Sequence, residues 1–238
     1  MMGKGRPLFV RLPAGIEGFD ELVEGGFPLD GLILLAGHPG AGKTTFASQF
    51  IFTGATVYRQ KGVYVTFAET KAVLLRNALR FKWDFEELER QEKVKILDMT
   101  AARDEEFKTN VEQILKVVAD MGAERLVLDS FTAMATAVRD PIDLRIFLHL
   151  LYKFLQKVHC TTVMVVDMPW GTCQINTAAQ FISDGIILME IYYDSEGMQR
   201  RRMRILKMRG TNHSPNTWQY EITDRGVKIH VPEKIGVK

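Results

Sequence analysis

Residues 31–45 read GLILLAGHPGAGKTT, an apolar run that turns through glycines into Lys-Thr-Thr. Gly37, Gly42, Lys43 and Thr44 satisfy G-x-x-x-x-G-K-[ST], and Gly40 adds a further flexible point. Glycine lets the backbone curl until successive N–H groups converge on one anion. Such a turn works between a strand that delivers it and a helix whose positive N-terminal end faces the same anion. Both flanks have that character. LILLA (32–36) is a buried-strand pattern, and TTFASQFIFTGATVYR (44–59) spaces Phe46, Phe50 and Val57 along a helix. Gly37, His38, Pro39, Gly40, Ala41, Gly42, Lys43, Thr44 and Thr45 therefore form a candidate phosphate loop. In it Lys43 reaches the β- and γ-phosphates of a nucleotide and the Thr44 hydroxyl ligates Mg²⁺.

The same alternation continues downstream. VYVTF (63–67) is β-branched and aromatic, as strands prefer. Phe107, Val111, Ile114, Leu115 and Val118 follow one helical face within residues 104–121, which Gly122 ends. RLVLD (125–129) is a short buried strand, and Asp129 at its end is the candidate magnesium-side carboxylate. Asp140 occupies an N-cap position before Pro141 and predicts a helix to about residue 158. TTVMVVD (161–167) is another buried strand. Strands alternating with helices imply an α/β fold, a mostly parallel sheet with helices on both faces. GIILMEIYY, RRMRILKM, WQYEI and GVKIHV then follow as consecutive strands, a C-terminal strand extension. No linker, repeat or low-complexity tract divides the chain, so one domain over residues 1–238 is expected.

Composition closes several alternatives. A net charge of +2 does not announce nucleic acid, although a local patch such as RRRMR is compatible with it. The N-terminal MMGKGRPLFVRLPAG lacks a signal-peptide run, and the most apolar stretch, residues 142–158, is broken by Asp143, Arg145, His149, Lys153 and Lys157. That reads as no membrane span and a cytoplasmic location. Cys160 and Cys173 have neither metal-ligand nor redox spacing, which suits a reduced compartment. No G-x-S-x-G turn supports serine-hydrolase chemistry.

Further segments resemble the KaiC-like branch of the RecA/RadA ATPase superfamily. They are GIEGFDELVEGGFP before the loop, then VYVTFAET, FKWDFEELE, RLVLDS, FISDGIILM, KMRGTNH and EITDRGVKI, in the family's order across residues 15–231. The chain is similar to single-copy relatives of the archaeal type. The resemblance implies a RecA-like P-loop NTPase core with a C-terminal antiparallel extension. It also implies an ATPase that takes ATP and Mg²⁺ and forms a homo-oligomeric ring or filament, typically a hexamer, with ATP between subunits. By the same resemblance Lys207 and Arg209 are the basic pair that reaches the adjacent subunit's γ-phosphate. Met208, Thr211, His213 and Asp224 match positions near that cross-interface nucleotide. Spacing alone supports a shared face for Lys207 and Arg209, since one residue separates them on an expected strand.

The sequence departs from the family at Ala68. There the family has two adjacent acids after the strand, and here only Glu69 remains. Hydrolysis needs a group that orients or deprotonates the attacking water. Adjacent strand positions point in opposite directions, so Glu69 takes that role only if the backbone turns at the strand end. Three readings follow: Glu69 is the working base of a slow ATPase; ATP is an assembly ligand for a scaffold that does not hydrolyse it; or another carboxylate, Asp167 or Asp129, substitutes. Asp167 ends its strand where RecA-type proteins place a polar γ-phosphate sensor, so an acid there repels phosphate unless it pairs with a cation. A DNA-recombination accessory is the other alternative. The segment MPWGTCQINTAAQ (168–180) offers Trp170 for stacking but holds no Lys or Arg, which disfavours DNA. A protein client is also open.

Overall fold

A computed structural model of the chain describes residues 10–100, 107–136, 141–169 and 177–231. In chain order its elements are β1 (Arg11–Leu12), β2 (Phe27–Pro28), β3 (Leu32–Gly37), α1 (Lys43–Thr56), β4 (Gly62–Thr66), α2 (Lys71–Leu79), α3 (Phe85–Arg90) and β5 (Val94–Asp98). There follow α4 (Phe107–Met121), β6 (Arg125–Asp129), α5 (Phe131–Thr136), α6 (Pro141–Val158), β7 (Thr161–Asp167) and α7 (Thr177–Ile182). The last strands are β8 (Gly185–Tyr193), β9 (Gln199–Met208), β10 (Thr217–Thr223) and β11 (Gly226–Ile229).

Nine strands form one sheet in the order β11-β10-β9-β8-β3-β7-β6-β4-β5. From β5 to β8 every pairing is parallel, and the antiparallel extension begins where β9 pairs with β8. Strand β3 is buried along its whole length, as a parallel strand covered on both faces must be. Its side chains alternate: Ile33 and Leu35 join a core with Phe46, Phe50 and Phe85, while Leu32 and Leu34 join a second with Val118, Leu148 and Leu155. Helices α1, α2 and α3 thus cover one face, and α4, α5, α6 and α7 the other.

Helix α6 carries apolar side chains on more than its buried side. Leu144, Leu148, Leu151 and Leu155 are buried, whereas Ile142, Ile146 and Leu150 are exposed. Asp140, read as its N-cap, lies outside the described residues. A buried cation ties the chain's start to the sheet: Arg125, fully enclosed, donates to the carbonyls of Pro13 and Phe50 and to Gln60 Oε1.

Candidate functional site

The parallel order brings the ends of β3, β7, β6 and β4 side by side. Asp167 is in register with Gly37, and Asp129 with Thr66. In open α/β sheets ligands bind beyond the carboxyl ends of the strands, and Lys43, Thr44, Asp129 and Glu69 stand there.

The loop between β3 and α1 is shaped by its glycines. Gly40 and Gly42 have φ of +80° and +91°, the left-handed region that favours glycine. At Gly42 a Cβ would come within 2.6 Å of Ile222 Cδ1, so β10 braces the loop from outside. The buried Tyr220 hydroxyl donates to the carbonyl of Ala41 at 2.5 Å and adds to that brace. Lys43 opens α1 and is buried; its Nζ donates to the carbonyls of Gly37 at 2.9 Å and His38 at 3.0 Å. It also pairs with Asp167 Oδ1 at 3.1 Å. Thr44 follows it on α1, and its side chain hydrogen-bonds Asp129.

Asp129 is buried at the end of β6. Tyr64 on β4 donates its hydroxyl to Asp129 Oδ2 at 2.6 Å. Burial pushes the Asp129 carboxyl above the usual carboxylate range, while the bonds from Tyr64 and Thr44 pull it down; the Asp167 charge adds to the rise and Lys43 opposes it. Tyr64 is pushed well above its ordinary value, chiefly by burial and then by the Asp129 charge, so its proton stays on the phenol.

At Glu69 the backbone does turn at the strand end. Strand β4 stops at Thr66, and the Thr66 hydroxyl donates to the Glu69 carbonyl at 2.5 Å, closing a turn. Ala68 is left exposed and Glu69 half-buried. The turn aims Glu69 into a cavity of about 660 Å³ that Gly40, Thr44 and Ser48 also line. Glu69 Oε1 is buried with no hydrogen-bond partner among the described residues. Desolvation first, and then the Asp129 charge, raise its carboxyl above the ordinary value, against a smaller pull from Arg76. Arg76, Asn77, Arg80, Phe81 and Trp83 complete the cavity, with the Phe81 and Trp83 rings stacked 4.7 Å apart. The sequence reading missed these residues, as it missed Tyr64. α2 carries no motif, and a tyrosine inside a strand looks like any core aromatic.

The basic pair lies elsewhere. Arg209, just past the end of β9, donates its N–H to the Asp184 carbonyl, and Asp184 donates its own to Leu32 at the start of β3. Gly37 is at the other end of that six-residue strand, about 17 Å away at roughly 3.3 Å per residue. Both cations point away from their own phosphate loop, into the carbonyl end of α7. Lys207 Nζ donates to Gln180 O at 2.9 Å and Ser183 O at 2.6 Å. Arg209 donates to Phe181 O at 2.8 Å and pairs with Asp184 Oδ1 at 3.3 Å. The two side chains therefore share a side of the strand.

The remaining positions divide. Met208 is buried and packs on Gly185, so its side chain belongs to the core. Thr211 follows Arg209 and accepts a hydrogen bond from Arg11; His213 lies in the same connection, half-buried. Asp224 is separated from them, exposed in the turn after β10, on the side where Ile222 meets the phosphate loop. Trp170 and Cys173 lie outside the described residues.

A family model described as "ATPase: KaiC" matches residues 12–234. The chain belongs to the KaiC ATPase family. Among curated relatives, the circadian clock oscillator protein KaiC of Parathermosynechococcus lividus is 32% identical over 224 residues, covering 90% of this chain and 41% of that protein. KaiC of Synechococcus elongatus is 32% identical over 225 residues, 90% of this chain and 43% of that protein. The chain thus spans less than half the length of these KaiC relatives. Among solved structures, a KaiC-like protein from the hyperthermophilic archaeon Pyrococcus horikoshii OT3 superposes with a TM-score of 0.84 at 35% identity, covering 94% of this chain and all of that one. The fold is the RecA-like α/β fold of this family. Among the described residues no helix is long and apolar enough to cross a membrane.

Proposed function

We propose that the chain binds ATP with Mg²⁺ over the ends of β3, β6 and β4 and hydrolyses it slowly. In this reading it works as a cytoplasmic homo-oligomeric ring, a hexamer by family resemblance, in which a neighbour's Lys207 and Arg209 complete each site. The observation that carries the reading is the convergence of Lys43, Asp129 and Glu69 at one end of the sheet. The loop N–H groups and the start of α1 hold the phosphates, with Lys43 on the β and γ groups. The stacked Phe81 and Trp83 give the cavity an apolar wall suited to a base.

The donor set fits Mg²⁺. Thr44 and Asp129 are hard oxygen donors already within hydrogen-bond reach of each other, and Mg²⁺ takes few protein ligands beside phosphate and water. When bound, the ion neutralises charge on the phosphates. Glu69 accepts the proton of the attacking water through the oxygen that has no hydrogen-bond partner among the described residues; water oxygen bonds to the γ-phosphorus as the β–γ bridge breaks, giving ADP and phosphate. Lys207 and Arg209 lie too far along the sheet to serve their own loop. A neighbouring copy is their natural recipient, and charge spread over a transferring phosphoryl group is what paired cations stabilise.

The non-hydrolysing scaffold is supported by Ala68 and opposed by the placement of Glu69. Phosphate release with Mg²⁺-ATP, measured beside Lys43→Ala, Glu69→Gln and Arg209→Ala with oligomer size recorded on the same samples, decides between them. Turnover lost in all three variants supports the ATPase. ATP-dependent assembly with release no faster than Lys43→Ala leaves the scaffold.

A further inference from the structure

We propose that Asp167 sets the nucleotide preference of this site by competing with the terminal phosphate for Lys43, an inference that rests on the nucleotide-binding reading above. An ammonium has three N–H donors. Those of Lys43 meet Gly37 O, His38 O and Asp167 Oδ1 within 3.1 Å, on a side chain that is 6% exposed. A phosphate oxygen that bonds Nζ displaces one of these acceptors. The carbonyls belong to the loop and leave only if its backbone rearranges. The carboxylate turns away on its own side-chain torsions, and Asp167 is 45% exposed, so it has room to do so.

Turning away does not take the charge far. The Asp167 backbone is fixed in register with Gly37, and its N–H donates to Thr132 Oγ1 at 2.8 Å. The released carboxylate stays beside the loop on the side toward β6 and β4, where Asp129 and Glu69 stand. The terminal phosphate lies on that side in the proposed reaction, so Asp167 opposes a γ-phosphate more strongly than a β-phosphate. Wild-type discrimination between ATP and ADP is therefore blunted, and phosphate is repelled once cleaved. Ion-pair exchange of this kind needs no change in fold.

The test is the affinity for Mg²⁺-ATP and Mg²⁺-ADP, by calorimetric titration, in wild type, Asp167→Asn, Asp167→Ala and Asp167→Glu, with Lys43→Ala as reference and thermal midpoints to confirm folding. Removing the charge in Asp167→Asn and Asp167→Ala is expected to tighten ATP about tenfold and ADP about threefold or less. Asp167→Glu is expected to keep the wild-type ratio. Equal changes for both nucleotides, or no tightening, overturn the proposal while leaving the nucleotide site intact. If wild type binds neither nucleotide better than Lys43→Ala, the nucleotide-site reading fails and takes this one with it.

Discussion

The Tyr64 hydroxyl donates to Asp129 Oδ2 at 2.6 Å, and both side chains are buried. This bond opposes the burial that raises the Asp129 carboxyl. In Tyr64→Phe that opposition is gone and the carboxyl rises further. The ionised form needed to hold Mg²⁺ is then lost at a higher pH as acidity increases. The acid limb of the pH profile should move upward, and the Mg²⁺ concentration for half-maximal activity should rise above wild type as pH falls through that limb. A magnesium titration of phosphate release at several pH values checks both.

Glu69→Gln should lower turnover by about 10²- to 10⁴-fold, the usual worth of a positioned general base, with ATP affinity kept within about threefold. Because burial and Asp129 raise the Glu69 carboxyl, the base-competent form is present above that raised value and fades as pH falls through it. The wild-type acid limb should therefore lie above the ordinary glutamate range. Single-turnover rates across pH measure it.

Ala68 is exposed while Glu69 faces the cavity. Restoring the acid by Ala68→Glu should then change turnover by less than about threefold, since a base acts only within hydrogen-bond reach. Steady-state phosphate release is the check, and a large gain would mean that the first acid of the pair works directly.

Arg125 tests the fold apart from the site. Arg125→Ala strips the donors from the carbonyls of Pro13 and Phe50 and leaves a cavity where a Cβ on Gly54 would meet the Arg125 Cδ at 2.4 Å. It should cost about 3 kcal/mol or more, seen as a lower urea midpoint with an unchanged slope.

What was legible in the sequence follows period and local chemistry. The phosphate loop, the buried strands β3, β6 and β7 and the C-terminal strands are written in runs and turns. Strand β5 and helices α2 and α3 were not read as elements. β5 is a short edge strand with Lys95 exposed, and α2 buries only Leu74 and Ala78, which leaves a weak stripe. Side-chain partnerships were invisible for another reason. Tyr64 meets Asp129 across 65 positions of sequence, and no local pattern encodes a contact made by strand order. The turn that aims Glu69 depends likewise on where β4 stops.

In the proposed ring each site is completed by another copy of the chain. Lys43→Ala and Arg209→Ala should each be inactive alone, one lacking the phosphate lysine and the other the reaching arginine. Mixed in equal amounts before ATP is added, they form rings in which some interfaces join an intact loop to an intact Arg209. Phosphate release should recover to about a quarter of wild type, the share of head-to-tail interfaces with both partners intact. Mixed rings that stay at the background of the separate variants would contradict the claim.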